Sequence, residues 1–365
     1  MFQNSCIPMP KNNPANRLLE LDALRGLSAI SVLLFHYTHF YGIVFPGRGT
    51  PPFHFPWIPY RIQLFSLISG FVILLVLEKT EKPLDFIVAR FSRLYPCYLA
   101  AVLLITGLLT LFPLITQYPL PGRGSIPWST FLVNLTMLQS WLGYADVDGV
   151  LWFLAPEISF YLIILVLFTL KKIKYIEGIG LLGLILVVLN ARYASVGPFE
   201  ISNFIINSKI LCFWHYFYAG ILFYQLKTKG ETWQRHAGLA ACFIVQNLIS
   251  DNSISILCFA VCLLMFYLFI YGQLSWIAQK PLIFLGTISY SLYLIHQNIG
   301  YIMIGYLDKI GTYPWVRFLI PTTVSIGIAT AMTYLIEKPA TKLIRSKYKT
   351  WQWPWFKKKG LKRAD

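Results

Sequence analysis

The chain has 365 residues, of which 56% are hydrophobic, 16% aromatic and only 13% charged, with a formal net charge of +16. Soluble domains carry about 25% charged residues, so this composition excludes a soluble enzyme and reads as an all-α, polytopic membrane protein. The basic excess does not argue for nucleic acid as a partner. Lys and Arg fall in short loops and a tail, where membrane orientation and anionic lipid account for them.

The first residues are polar and rich in Pro and Asn, with no apolar signal-peptide core, so no cleavage is expected. Apolar runs long enough to cross a bilayer follow at 22–45, 61–77, 94–114, 151–170, 176–190, 208–226, 236–250, 252–271, 281–305 and 316–337. They predict ten transmembrane helices, the least distinct pair being 236–250 and 252–271, parted only by SDNS. Trp57, Trp128, Trp141, Trp276 and Trp315 flank these runs as interfacial belts do. Ten spans put both termini on one side. If that side is the cytoplasm, the inside segments hold 24 of the 31 Lys and Arg and the outside segments seven, a positive-inside pattern.

Two Pro- and Gly-rich loops then fall outside, 46–60 and 115–150, the second carrying Asp146 and Asp148; together they are expected to cap an outer cavity. The chain divides into a cytoplasmic segment 1–17, a transmembrane domain 18–340, and a basic, Trp-rich cytoplasmic tail 341–365. The tail's WQWPWFKKKGLKRAD reads as a lipid-facing anchor, which makes membrane lipid a partner. Cys6, Cys97, Cys212, Cys242, Cys258 and Cys262 form no CxxC pair and read as small buried hydrophobes.

The chemistry concentrates in LDALRGLSAISVLLFHYTHFYG. Arg25 and His36 are eleven residues apart, which at about 100° per residue points both side chains the same way. At about 1.5 Å per residue they are roughly 16 Å apart along the helix. Arg25 lies where the helix enters the bilayer and His36 near its middle. An ionisable group inside lipid is costly and is a functional candidate for that reason. An imidazole can take a proton from a hydroxyl at physiological pH, so His36 reads as a general base. The bland alternatives are a packing histidine for His36 and a simple pair with Asp22 for Arg25. His39 follows His36 three residues on, but no Glu lies between them and no third ligand is apparent, so no metal is expected.

Arg90 and Arg93, in EKTEKPLDFIVARFSRLYP, match the bidentate geometry of phosphate, or else only mark the inner face. Glu157, in LWFLAPEISFYL, is read as lying a few residues into the fourth span from the outer side, orienting an imidazole or substrate hydroxyl or else reaching water at the boundary. Glu337 closes the tenth span and is read as pairing with a basic loop. His296, in ISYSLYLIH, is a second intramembrane histidine that alone reads as structural. Ser69-Gly70 marks a site of close helix approach.

Taken in order, LDALRGLSAISVLLFHYTHF, FSLISGFVILL, ARFSRLYP, LWFLAPEISFYL, LGTISYSLYLIH and YLIEKP resemble the membrane-bound acyltransferase-3 family of bacteria, over about residues 18–340. The family's Arg-x10-His matches Arg25 and His36, its basic cluster matches Arg90 and Arg93, and its acid after a Trp matches Glu157 after Trp152. The family often has paired acids at that last motif, whereas Glu157 is followed by Ile158, and the basic cluster is thinner here.

The resemblance implies an acetyl-CoA-dependent O-acetyltransferase of the bacterial inner membrane. It would take acetyl from cytoplasmic acetyl-CoA to a hydroxyl of an exported or cell-surface carbohydrate such as O-antigen or exopolysaccharide. Arg25, Arg90 and Arg93 would meet the donor's phosphates, with the thioester near His36. A transporter or flippase of a glycan or lipid is the rival reading; it predicts broken helices and midplane polar groups in several spans.

Overall fold

A computed structural model describes residues 18–55, 62–116, 126–193 and 209–358. Among these residues there is no β-strand. In chain order the helices are α1 (Leu19–Val44), with a π-helical turn at His36–Phe40, α2 (Ile62–Leu77), α3 (Pro83–Thr116) and the short α4 (Trp128–Asn134). Next come α5 (Leu154–Thr169), α6 (Ile176–Tyr193), α7 (Ile210–Lys229), α8 (Trp233–Ile249) and α9 (Ser253–Ile270). The last are α10 (Lys280–Lys309), α11 (Pro314–Met332), a π-helical turn at Thr333–Glu337, and α12 (Lys338–Lys358). A helix therefore stands at each of the ten apolar runs. The SDNS break between the seventh and eighth is a helix cap: the Asn252 side chain accepts hydrogen bonds from the backbone N–H groups of Ile254 and Ser255.

Among the described residues six helical stretches are long and apolar enough by themselves to cross a bilayer: Leu19–Val44, Pro83–Phe112, Leu151–Thr169, Ile173–Arg192, Ser253–Ile270 and Pro314–Trp351. The remaining long helices fall short for a physical reason. α7 is buried without a break from Trp214 to Leu226, and α10 from Ser291 to Ile302. Helices enclosed by protein on every side can carry His, Gln, Asn and Tyr, which lowers their apolarity. The outer helices show the opposite pattern. On α9, Leu257, Val261 and Leu264 form an exposed apolar stripe of the kind lipid covers.

Two helix pairs touch backbone to backbone. A Cβ on Gly26 of α1 would meet the carbonyl oxygen of Leu282 at 2.1 Å, and one on Gly286 of α10 would meet that of Asp22 at 1.8 Å. The same reciprocal arrangement joins α2 to α7, where a Cβ on Gly70 would meet the Phe217 oxygen at 2.0 Å and one on Gly220 the Leu67 oxygen at 2.1 Å. In a bilayer, where lipid tails are as apolar as Leu, such close approach is a main source of helix association. The close-packing role expected at Gly70 is met by this contact.

The segment expected to be an outer loop, 115–150, departs most from the sequence reading. Its described part does not stay beyond the end of α3. Tyr98 donates to the carbonyl oxygen of Asn134 at 2.6 Å, and Tyr95 to that of Leu135 at 2.9 Å. Tyr98 is eighteen residues before Thr116, so α4 ends about 27 Å back along α3. Residues 126–150 thus run back alongside α3, with Asn134, Met137, Gln139, Val147, Asp148 and Val150 buried against the bundle and Trp128, Leu132 and Leu142 left exposed. Their backbone is satisfied by protein groups, as irregular backbone at that depth requires. Asn134 donates to Ala145 and accepts from the Val147 N–H, while the buried Asp148 accepts from the N–H groups of Val150 and Asn298.

Of the five described cysteines, Cys97, Cys242 and Cys262 are buried and Cys258 is partly buried. Cys212 is exposed, a correction to its expected burial; it sits in the first turn of α7 before the enclosed part begins. Cys6, Trp57, Arg61, Arg123, segment 1–17 and the final residues of the tail lie outside the described residues.

The glycine contacts give a direct expectation. Gly70→Val or Gly286→Val should lower the melting temperature of the detergent-purified protein sharply or abolish its folded yield, since overpacking costs about 1–3 kcal/mol or more. Gly107→Val, at a position with nothing within 4 Å of its Cβ, should leave both unchanged. Fluorescence-detected size exclusion and thermal melts read the difference.

Candidate active site

The π-helical turn begins at His36, and such turns are frequent at functional sites. His36 is partly buried and faces α10. Its Nδ1 lies 2.6 Å from Nε2 of His296, and the two rings meet edge to edge, centroids 4.8 Å apart and planes 16° from parallel. His296 is 1% exposed, and its Nδ1 lies 2.9 Å from the carbonyl oxygen of Tyr293 and 3.1 Å from that of Leu292. The next residue on α1 returns the contact. Tyr37 donates to the carbonyl oxygen of His296 at 2.8 Å and shares a 2.8 Å hydrogen bond with Ser325 of α11. Its ring lies where a Cβ at position 300 would be, so Gly300 is what allows the approach.

A second group of residues lines a cavity that is partly open to its surroundings. Arg25, Arg90, Arg93 and Glu157 all face it, with Ser69, Tyr161, Ser289, Tyr290 and Tyr293. Arg25 also pairs with Asp22 at 3.6 Å, so the pair weighed from the sequence exists beside the cavity role. Arg90 is only 9% exposed, and its guanidinium lies 5.0 Å from the Tyr161 ring centre and 5.7 Å from that of Phe86. Its Nε and Nη2 are buried without a hydrogen-bond partner. A buried guanidinium with unused donors makes a site receptive to an anion. Three guanidinium groups face a single cavity carboxylate, that of Glu157.

Glu157 is held by Ser69, which donates to its Oε1 at 2.9 Å, and by Tyr161, which donates to the same oxygen. This corrects its expected place. The sequence put Glu157 near the outer boundary; the structure puts it beside Arg90 and Arg93, because the inward course of 126–150 starts α5 deep in the bundle. The His36 imidazole meets that of His296 on α10. Tyr293 connects the two regions: it lines the cavity, its ring centre is 6.0 Å from that of His296, and its hydroxyl donates to the carbonyl oxygen of Val150. Glu337 accepts from Ser291 at 3.2 Å, and the opposite charge acting most on it is that of Arg93, from the basic segment expected to face it. Arg90 and Arg93 lie in the third turn of α3, since that helix begins at Pro83, before the apolar run. Among the described residues no group of three His, Cys, Asp or Glu is placed to hold a metal ion.

Sequence reasoning passed over Ser69 as a polar partner, Tyr161, Tyr293 and the pairing role of His296. Tyr161 was legible in principle, lying one helical turn after Glu157.

Comparison with known proteins bears on this arrangement. A family model described as an acyltransferase domain matches residues 18–334. Acyltransferase MdmB of Streptomyces mycarofaciens is 30% identical over 151 residues, covering 40% of this chain and 38% of that protein. Nodulation protein 10 of Rhizobium leguminosarum bv. viciae is 23% identical over 354 residues, covering 88% of this chain and 93% of that protein. Protein 2 in the picA locus of Rhizobium radiobacter is 32% identical over 100 residues, covering 26% of this chain and 47% of that protein. The chain thus spans less than half the length of two of these relatives and nearly all of the third. No solved structure matches.

Tyr161→Phe removes the hydroxyl that bonds Glu157 but keeps the ring beside Arg90. The loss of a hydrogen bond to a charged acceptor should cost about 1.5–3 kcal/mol, seen as a lower melting temperature. An unchanged melt would show that Ser69 alone suffices to hold the carboxylate.

Proposed function

We propose that this chain, which belongs to the acyltransferase family, is a membrane O-acyltransferase that moves an acyl group, acetyl above all, from acetyl-CoA to a hydroxyl of an exported or cell-surface carbohydrate. The observation that carries the reading is that α1 joins two chemically different places. Arg25 opens into a cavity lined by Arg90 and Arg93, and His36 stands eleven residues further along the same helix. The separation of roughly 16 Å is on the order of an extended pantetheine arm. A donor with its phosphates on the arginines would present its thioester near His36.

The chemistry asked of the protein is modest. The acceptor hydroxyl attacks the thioester carbonyl; His36 takes the hydroxyl proton as the C–O bond forms, and the departing thiolate recovers that proton as the C–S bond breaks. Glu157 has its Oε1 taken up by Ser69 and Tyr161, so its part is to balance and place the guanidinium groups rather than to contact the base. The name of MdmB as an acyltransferase supports the reaction class.

The protein would be a multi-pass protein of the bacterial inner membrane, with ten spans and both termini in the cytoplasm. That orientation follows the excess of Lys and Arg in the segments joined to the arginine end of α1. CoA is made in the cytoplasm, and this orientation puts the cation cavity within its reach.

Acetyl-CoA binding to the detergent-purified protein tests the donor. Arg25→Ala should weaken binding by roughly 10- to 100-fold, the worth of one or two charge-assisted hydrogen bonds. His36→Ala should bind acetyl-CoA as before, melt as before and lose transfer by at least about 100-fold. No binding by the folded wild-type protein would sink the CoA reading and bring a transported glycan or lipid to the front.

A further inference from the structure

The geometry at His296 fixes where the hydrogens lie on both imidazoles. Nδ1 of His296 faces two backbone carbonyl oxygens, at 2.9 and 3.1 Å, and carbonyl oxygens only accept. Nδ1 therefore carries a hydrogen. In a neutral imidazole the lone pair is then on Nε2, and this nitrogen lies 2.6 Å from Nδ1 of His36. The hydrogen between the two rings thus belongs to His36 Nδ1, which donates to His296 Nε2. One tautomer of His36 remains: N–H at Nδ1, basic lone pair at Nε2.

We propose that His296 is the positioning residue for the reaction: it holds His36 in the Nδ1–H tautomer and in one ring plane, so that Nε2 is the nitrogen that receives the proton of the acceptor hydroxyl. The proposal rests on the acyl-transfer reading for its consequence, though the tautomer itself does not. The in-plane N–H···N bond, between rings only 16° from parallel, sets the plane, and the Tyr37 hydroxyl on the His296 carbonyl fixes the relative height of α1 and α10. When the hydroxyl proton reaches Nε2, His36 becomes an imidazolium, and its Nδ1–H bond to His296 becomes charge-assisted. His296 keeps its own Nδ1 hydrogen throughout. The proton on His36 Nε2 then passes to the thiolate, and both rings return to their starting state. A carboxylate in place of His296 would orient the base equally well, but it would leave a standing charge in a site that is 1% exposed. A neutral imidazole supplies the acceptor without that cost.

The test uses the full chain labelled with 15N-histidine in lipid nanodiscs, with the His36 resonances identified by their loss in His36→Gln. Wild type should show His36 protonated at Nδ1 and not at Nε2. His296→Ala should abolish that signature. His296→Gln, whose side-chain oxygen can accept from His36, should preserve it. In transfer assays His296→Ala should lower kcat by about 100-fold or more, with KM for donor and acceptor within about twofold, and His296→Gln should restore at least about a tenth of wild-type kcat. A residue that merely packs would not give this kcat-only loss, nor rescue by an acceptor of different shape.

A wild-type His36 protonated at Nε2, or a kcat unmoved by His296→Ala, overturns the proposal. If wild type transfers no acyl group at all, the proposed function fails, and the tautomer measurement still decides what His296 does. If His296→Ala does not fold, the wild-type and His296→Gln spectra decide between the two tautomers.

Discussion

α1 and α10 meet backbone to backbone where Gly26 faces Gly286, and the site is held in register by that contact. Ten residues beyond each glycine stand His36 and His296, so the place where the backbones touch sets the height at which the imidazoles meet. On α1, Arg25 immediately precedes the contact. On α10, Ser289, Tyr290 and Tyr293 follow it and line the same cavity. A single close approach between two helices thus positions both the cationic end and the basic end of the site. α2 and α7 repeat the device with Gly70 and Gly220, and Ser69, which anchors Glu157, is the neighbour of Gly70.

The electrostatics follow from enclosure. A guanidinium buried beside Tyr161 and Phe86 with two donors unused is an unfavourable arrangement until an anion arrives. Glu157 relieves part of the crowding among the three arginines, and two hydroxyl groups keep it in place. Around the cavity the carboxylates of Asp22 and Glu337 also act on Arg25 and Arg93, so Arg90, with its unused donors, is the guanidinium most open to a further anion.

Much of this was legible in the sequence, and the limits have physical causes. Helices could be placed because apolar runs report contact with lipid, and a helix stands at every one, six helical stretches among the described residues being long and apolar enough to cross a bilayer. Arg25 and His36 could be related because they share a helix with a known rise and turn. Gly70 was legible because a small pair in an otherwise bulky run opens the gap that a second backbone needs. The depth of Glu157 was not, because residues 126–150 return alongside α3 without an apolar run, and hydropathy sees only the surfaces that lipid touches. The role of His296 was not, because its partner is 260 residues away, and a helix period relates neighbours on one helix, never residues on two. Cys212 fell on the wrong side of the line because enclosure of α7 begins two residues later, at Trp214.

The pairing of His36 with His296 also constrains how the protein is made. The first long helix enters the membrane with one of the two imidazoles, and the other is synthesised only when most of the chain is already in place. The inward segment is in the same position, since Asp148 and Val150 are fastened to Asn298 and Tyr293. Contacts so distant in sequence form late, because the ends of so long a chain must first be brought together. A partly inserted chain therefore has neither the paired imidazoles nor the assembled cavity, and the site exists only once biogenesis is complete.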